Sequence, residues 1–214
     1  MIDIVVLAGG KGTRMKTNVP KCLVKVKGKE MIRIIIDEIE KINYEYNLSI
    51  VVGYKAKEVV SLLKHYYNDL KYIYQDKQLG TGHALLLSKD LLKINTENII
   101  CIFCDMPFIS KDIINNLIDV HNKSENDITL VTNILDNPNG YGRICEKQNK
   151  FRIIEEKDLE TEEKNLKEVN TGLFIGKKNI VFKLLSLVNN RNNNHEYYLS
   201  DIFKTSVDFT LSIR

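Results

Sequence analysis

Ile2-Asp-Ile-Val-Val-Leu-Ala-Gly-Gly-Lys-Gly-Thr-Arg14 decides the fold, because a run of β-branched and apolar residues empties directly into glycines and then into cations. Ile4 to Leu7 reads as a buried strand, and a strand ending in a tight glycine turn leaves backbone N–H groups pointing outward at the carboxyl edge of a sheet. In an open α/β sheet that edge is where ligands bind. Phosphate is the natural guest for such N–H groups. Two familiar phosphate loops do not fit the spelling. A Walker loop closes a longer interval with Gly-Lys-Ser/Thr, and the dinucleotide fingerprint needs a third glycine where Met15 stands. The pattern present is Gly10-Lys-Gly12-Thr13-Arg14, five residues, then Pro20-Lys21. Arg14 offers a fork for two phosphate oxygens, Lys21 a point charge, and Pro20 a stiff approach.

Outward from that loop, strand-like runs alternate with helical periods. Leu48 to Val52, Lys71 to Tyr74, Asn98 to Phe103 and Ile128 to Ile134 read as strands. Met31 to Ile42, Glu58 to Tyr67, His83 to Leu92 and Asp112 to His121 carry apolar residues at three- and four-residue steps, as helices do. Alternation of this kind implies an α/β fold, a Rossmann-like, mostly parallel mixed sheet flanked by helices. Beyond Tyr141 the texture changes to short strand-like pieces, at Gly142-Arg-Ile-Cys, Phe151-Arg-Ile-Ile and Gly172-Leu-Phe-Ile. They are joined by a charged stretch from Glu155 to Glu168 that reads as an exposed loop or short helix. Asn189-Asn-Arg-Asn-Asn-Asn is a polar loop.

Composition bounds the function. The chain has 214 residues, 43% apolar and 28% charged, which suits one soluble domain of residues 1–214. A formal charge of +3 from 31 basic and 28 acidic residues gives no field for nucleic acid. The basic excess is instead local, between Met1 and Arg33, so a small polyanion near the N-terminus is expected. No basic leader precedes the first strand and no run reaches the roughly 20 apolar residues of a membrane span, so a cytoplasmic protein without a membrane partner is expected. Cys101 and Cys104 spell C-x-x-C, but residues three apart on a strand face opposite sides, so buried reduced thiols are expected there. Asp105 follows an apolar strand directly, which places its carboxylate at the carboxyl edge, where a Mg²⁺ ligand would stand.

The glycine signature, followed in order by Gln75-Asp-Lys-Gln-Leu-Gly-Thr-Gly-His-Ala84, Asp105-Met-Pro107, Asn139-Gly-Tyr-Gly-Arg-Ile144, Ile154-Glu-Glu-Lys-Asp158, Glu168-Val-Asn-Thr-Gly172 and Glu196-Tyr-Tyr-Leu-Ser-Asp201, resembles the sugar-phosphate nucleotidyltransferase family. Within it the chain resembles the uridyltransferase (pyrophosphorylase) domain of the bacterial N-acetylglucosamine-1-phosphate uridyltransferases. The blocks cover nearly the whole chain. The resemblance implies the nucleotide-diphospho-sugar transferase fold, UTP and N-acetylglucosamine-1-phosphate as substrates, and Mg²⁺ as cofactor, bound by Asp105. Arg14, Lys21 and Asp105 are then the catalytic residues. Leu7, Ala8, Gly9 and Gly10 would line the uridine, with Gly12 and Thr13 in the phosphate loop. Gln75 would read uracil, while Gly80 and Thr81 approach base and sugar with their backbone, Gly80 letting the main chain crowd the base so that a purine would clash.

On the sugar side the resemblance assigns Gly142, Glu155 and Asn170 to the N-acetylglucosamine moiety and Tyr198 to closure of the pocket. Phe103 and Cys104 stand where relatives have an aromatic hydroxyl and a glycine. His83 receives no chemical role. The bacterial relatives also carry a hexapeptide-repeat acetyltransferase domain and a Gly-Val-Asn segment with a second metal ligand; neither pattern occurs in this sequence, so no acetyl transfer is expected from it. Cys104-Asp-Met-Pro-Phe108 also resembles the molybdenum-cofactor guanylyltransferases of the same fold. A different sugar phosphate, that acceptor, or a catalytically silent nucleotide-sugar binding subunit are the alternatives. The sequence leaves oligomeric state open.

Overall fold

The computed structural model describes residues 1–12, 18–92, 95–147, 150–192 and 194–203. Chain order runs β1 (Ile2–Ala8), β2 (Lys25–Val26), β3 (Lys29–Glu30), α1 (Met31–Ile39), β4 (Tyr46–Val52), α2 (Ala56–Tyr66), β5 (Lys71–Tyr74), α3 (Thr81–Leu86) and β6 (Asn98–Phe103). Then follow α4 (Lys111–Lys123), β7 (Ile128–Ile134), β8 (Arg143–Lys147), β9 (Lys150–Ile154), β10 (Glu168–Lys177) and α5 (Lys178–Leu185).

One eight-stranded sheet takes the order β5-β4-β1-β6-β10-β8-β9, with β7 also paired to β10. β5, β4, β1 and β6 are parallel, and β10 is antiparallel to β6, which makes the sheet mixed. The chain moves from β1 toward β4 and β5 on one side, then returns to place β6 on the other. The carboxyl ends of β1 and β6 therefore flank a topological switch point, the crevice where such sheets bind ligands.

β1 is buried along its whole length because both of its faces are covered, as parallel strands require. Ile4, Val6 and Ala8 join Ile32, Ile35, Val59 and Leu117 on the side of α1, α2 and α4. Val5 and Leu7 face the other way, into Leu85, Val181, Phe182 and Ile202 on the side of α3, α5 and a 3-10 turn over Leu199–Phe203. The same alternation separates Cys101 from Cys104, one in each core layer, and both thiols are free. Among the described residues no helix is long and apolar enough to cross a membrane.

Two helices differ from the periodicity. α1 stops at Ile39, and its last turn tightens through Lys41 N–H to Glu38 O and Ile42 N–H to Ile39 O. The helix expected over His83 to Leu92 is instead the short α3, starting at Thr81, and a separate 3-10 turn at Lys89–Leu91. Ser88, fully buried, donates its hydroxyl to Leu85 O at 2.6 Å, and such side-chain bonds compete with continued winding. The charged stretch after β9 holds two 3-10 turns, Glu156–Asp158 and Glu163–Asn165.

Candidate functional site

Gly9 and Gly10 follow β1 at the switch point. Gly9 O accepts from Tyr54 N–H at 2.9 Å, and a Cβ on Gly9 would stand 2.7 Å from Gln75 Oε1. Glycine is required there because the Gln75 amide occupies that space. Gly53 makes the reciprocal close approach, where a Cβ would meet Gly9 O at 2.7 Å. Gly10 has open space on its side-chain face. Lys11 lies over the Tyr54 ring, 5.5 Å from its centroid.

Gly12 has φ of +67°, and a Cβ there would come within 2.8 Å of Lys21 Cβ. Gly12 and Lys21 thus meet in space, the lysine stem packing on the glycine face. Pro20 and a 3-10 turn over Lys21–Leu23 hold Lys21, and fully buried Cys22 anchors that turn to the core. Lys21 Nζ pairs with the Asp105 carboxylate. Asp105 follows β6, fixed where Cys104 N–H donates to Leu7 O at 3.1 Å. A cation from the glycine loop and a carboxylate from the adjacent strand end therefore meet across the crevice.

Beside this pair, Gln75 follows β5 and is 4% exposed. Its N–H donates to Val52 O at 2.8 Å, while its side-chain Nε2 donates to Gly80 O at 3.0 Å and approaches His83 Nδ1 at 3.2 Å. Gly80 has φ of +115° and caps α3. Its side-chain face is filled rather than open, since a Cβ would meet Tyr197 O at 2.5 Å. That space belongs to the Tyr197 backbone. Tyr197 N–H donates to Leu79 O and Gly82 N–H to Tyr197 O, both at 2.8 Å, and Leu199 N–H donates to Thr81 Oγ1 at 3.0 Å.

Of the residues expected on the sugar side, Asn170, Gly142 and Phe103 meet at a break in β10. Its pairing shifts between Asn170 and Phe174, where Gly172 has φ of +86° and the Phe103 ring lies against it. Asn170 Oδ1 accepts from Gly172 N–H at 3.0 Å, which leaves the amide nitrogen of Asn170 for another partner. Asn170 N–H donates to Gly142 O at 2.9 Å, joining two of the expected residues directly. Glu155 accepts from Ser200 Oγ at 2.6 Å. Tyr198 is buried, and burial, with Asp158, Glu196 and Glu155 adding negative charge, pushes its phenol up to about 12. It stays a neutral hydroxyl at physiological pH.

The Cys104 thiol is free and buried, as expected for the C-x-x-C pair. It lies in the helix-packed layer with Cys22, and burial raises it well above the ordinary range, so the side chain is core. Arg14 and Thr13 lie outside the described residues. For a metal, no cluster of three or more His, Cys, Asp or Glu side chains occurs among the described residues. Asp105 is a hard, partly exposed oxygen donor, and it fits an ion such as Mg²⁺, which keeps most of its waters and takes phosphate oxygens for the rest.

A family model described as the MobA-like NTP transferase domain matches residues 4–145. The chain belongs to the MobA-like NTP transferase family. The family-level resemblance drawn from the sequence blocks is borne out by this match. The bifunctional protein GlmU of Fervidobacterium nodosum is 40% identical over 201 residues, which is 94% of this chain and 43% of that protein. The chain thus spans less than half the length of that relative. Among solved structures, a UDP-glucose pyrophosphorylase complexed with UDP-glucose superposes with a TM-score of 0.74 at 21% identity, covering 96% of this chain and 86% of that one. HddC from Yersinia pseudotuberculosis complexed with GMP-PN gives 0.71 at 20% identity, covering 100% and 90%. These likenesses establish the nucleotidyltransferase fold.

Leu7 and Ala8 are buried strand residues behind the loop. Sequence reasoning missed His83, which only the fold brings to the Gln75 amide. It also missed Arg143. That guanidinium is fully buried: Nε donates to Leu166 O at 3.0 Å, and one terminal nitrogen binds both Tyr141 O and the Glu156 carboxylate, the latter at 2.9 Å. Arg143 opens β8, Arg-Ile-Cys-Glu-Lys, a strand of mixed polarity that gave no sign of its burial. Away from the crevice, a polar cleft of about 590 Å³ borders the amino end of β6, where Lys177 pairs with Asp127 and Lys178 with Asp3.

Proposed function

We propose that the chain transfers UMP from UTP to N-acetylglucosamine-1-phosphate, releasing pyrophosphate and forming UDP-N-acetylglucosamine. The observation that carries this reading is the Lys21 and Asp105 pair, held at the switch point by the Gly12 face and by the end of β6. A cation and a hard carboxylate at that place suit a triphosphate, whose departing charge is the main obstacle to reaction. No protein nucleophile is needed. The sugar-phosphate oxygen attacks the α-phosphorus in line, and positioning supplies much of the rate.

Each residue then has a part. Lys21 turns from Asp105 to the phosphate oxygens, the backbone of Gly9, Gly10 and Gly12 approaches them, and Arg14 grips the leaving group with its fork. Mg²⁺, where bound at Asp105, would supply further positive charge to the phosphates. Gln75 faces the base beside Gly9. Gly142, Glu155 and Asn170 engage the sugar and its acetamido group, with Phe103 and Tyr198 as walls.

A second reading is guanylyl transfer to a molybdenum-cofactor-type acceptor, which Cys104-Asp-Met-Pro-Phe108 and the MobA-like family match favour. One assay separates the two: pyrophosphate release over a panel of nucleoside triphosphates with N-acetylglucosamine-1-phosphate, glucose-1-phosphate and a molybdenum-cofactor-type acceptor. UTP with the acetamido sugar is expected to be the best pair. Preference for GTP moves the protein to the second reading, and no release with any pair removes both.

A further inference from the structure

The Gln75 amide has little freedom. An amide nitrogen carries two hydrogens, and Gly80 O, which can only accept, takes one at 3.0 Å. His83 Nδ1, 3.2 Å from the same nitrogen, meets the other. Since Gln75 Nε2 can only donate, Nδ1 must be the lone pair, so His83 is the tautomer protonated on Nε2. Burial lowers the His83 pKa, which keeps that lone pair available at neutral pH. With both hydrogens engaged, the amide presents its oxygen to any other partner. That oxygen lies against the bare face of Gly9, at the end of β1.

We propose that His83 is a positioning residue that makes the site choose uracil over cytosine, by holding the Gln75 amide with its carbonyl toward the base. The proposal rests on the reading of this site as a UTP site. Uracil presents an N3–H donor on its pairing edge; cytosine presents an N3 lone pair and an amino group. A fixed carbonyl accepts from the first and faces a second acceptor in the other. A site with its polar atoms committed in this way rejects the analogue that leaves them mismatched. Without His83 the amide keeps one lock, Gly80 O, and a turned amide offers cytosine N3 a donor.

The test compares kcat/KM for UTP and CTP in the wild type, His83→Leu and His83→Asn. The wild type is expected to favour UTP strongly. His83→Leu should reduce the UTP/CTP ratio by tenfold or more, mostly through KM, with CTP use rising. His83→Asn, whose side-chain oxygen can accept in place of Nδ1, should restore much of the ratio. A folded His83→Leu with an unchanged ratio overturns the positioning role, as does equal loss in both variants. A wild type that prefers GTP or ATP defeats the UTP reading itself, a distinct result. A measurement on the wild type alone also decides: ¹⁵N–¹H correlation spectra should show His83 protonated on Nε2, and protonation on Nδ1 overturns the proposal whether or not the variants fold.

Discussion

Gly9, Gly10 and Gly12 sit within four positions and are glycine for three different reasons. Gly9 makes room for the Gln75 oxygen, Gly12 for a left-handed backbone and the Lys21 stem, and Gly10 for nothing within the protein. Their alanine variants should therefore part company. Gly10→Ala is expected to leave the thermal midpoint unchanged while raising KM for UTP severalfold, because only a ligand would use that open space. Gly12→Ala should lower both stability and kcat, since φ of +67° strains alanine and the new methyl displaces Lys21. Melting curves beside UTP titrations check both. Asp105→Asn removes one side of an exposed pair, and such pairs contribute roughly 0–1 kcal/mol, so the fold should hold. Turnover at saturating Mg²⁺ should nonetheless fall by about 10² or more, because charge on the phosphates is then uncompensated. Near-normal turnover in that variant would remove Asp105 from the mechanism.

β10 shows how one element carries two tasks. Its second half pairs with β6 and its first half with β8, β7 pairs with both halves, and the irregularity at Gly172 lies where the strand exchanges β6 for β8. Gly172→Ala is expected to destabilise the chain by about 2–4 kcal/mol, combining a positive φ with a methyl forced into the Phe103 ring. Urea unfolding checks this, and an unchanged midpoint would show the bend to be unimportant. Between helices, Glu38 of α1 binds Lys41 and the Lys111 N–H at the start of α4, and these partners lower its pKa. Its contribution is present above the unfolded value near 4.3 and is lost as pH falls through the lower folded value. Glu38→Gln should flatten that part of the acid unfolding curve. The strands and crossovers were legible because burial on two faces writes itself as unbroken Val/Ile runs, as in β1 and β6. Helix ends were not, since Ser88 halts α3 through a bond that periodicity does not record. The placement of Lys21 and Asp105 at the crevice was legible from spacing. The Gln75 and His83 contact, the Tyr197 backbone on Gly80 and the burial of Arg143 were not, because each depends on elements distant in the chain or on a turn whose course the sequence leaves open.

At the scale of the whole molecule, the sheet divides two apolar layers, and the chain has placed acidic protons in both. Cys22 and Cys104 lie in one, Cys101 in the other, and Cys145 in a small cluster under β8 and β9. All four cysteines are free and buried. Burial pushes Cys22 up to about 12 and raises Cys101, Cys104 and Cys145, and Tyr198 reaches about 12 as well. In the unfolded chain thiols titrate near 8.5 and phenols near 10. Between those values and about 12 the unfolded state has released protons that the folded state still holds, so raising the pH favours unfolding. The stability these groups confer is complete below about 8.5 and declines steadily above it. Urea midpoints measured at pH 7, 9 and 10 should therefore fall most steeply over the last interval. The same burial predicts the chemistry of the thiols. Thiolate is the reactive species, so an aromatic disulfide reagent at pH 8 should leave the native protein unmodified over minutes and label all four cysteines once denaturant is added. Rapid labelling of one thiol in the native state would locate an opening in one layer, and Cys22, directly after Lys21, is the position where such an opening would also disturb the phosphate loop.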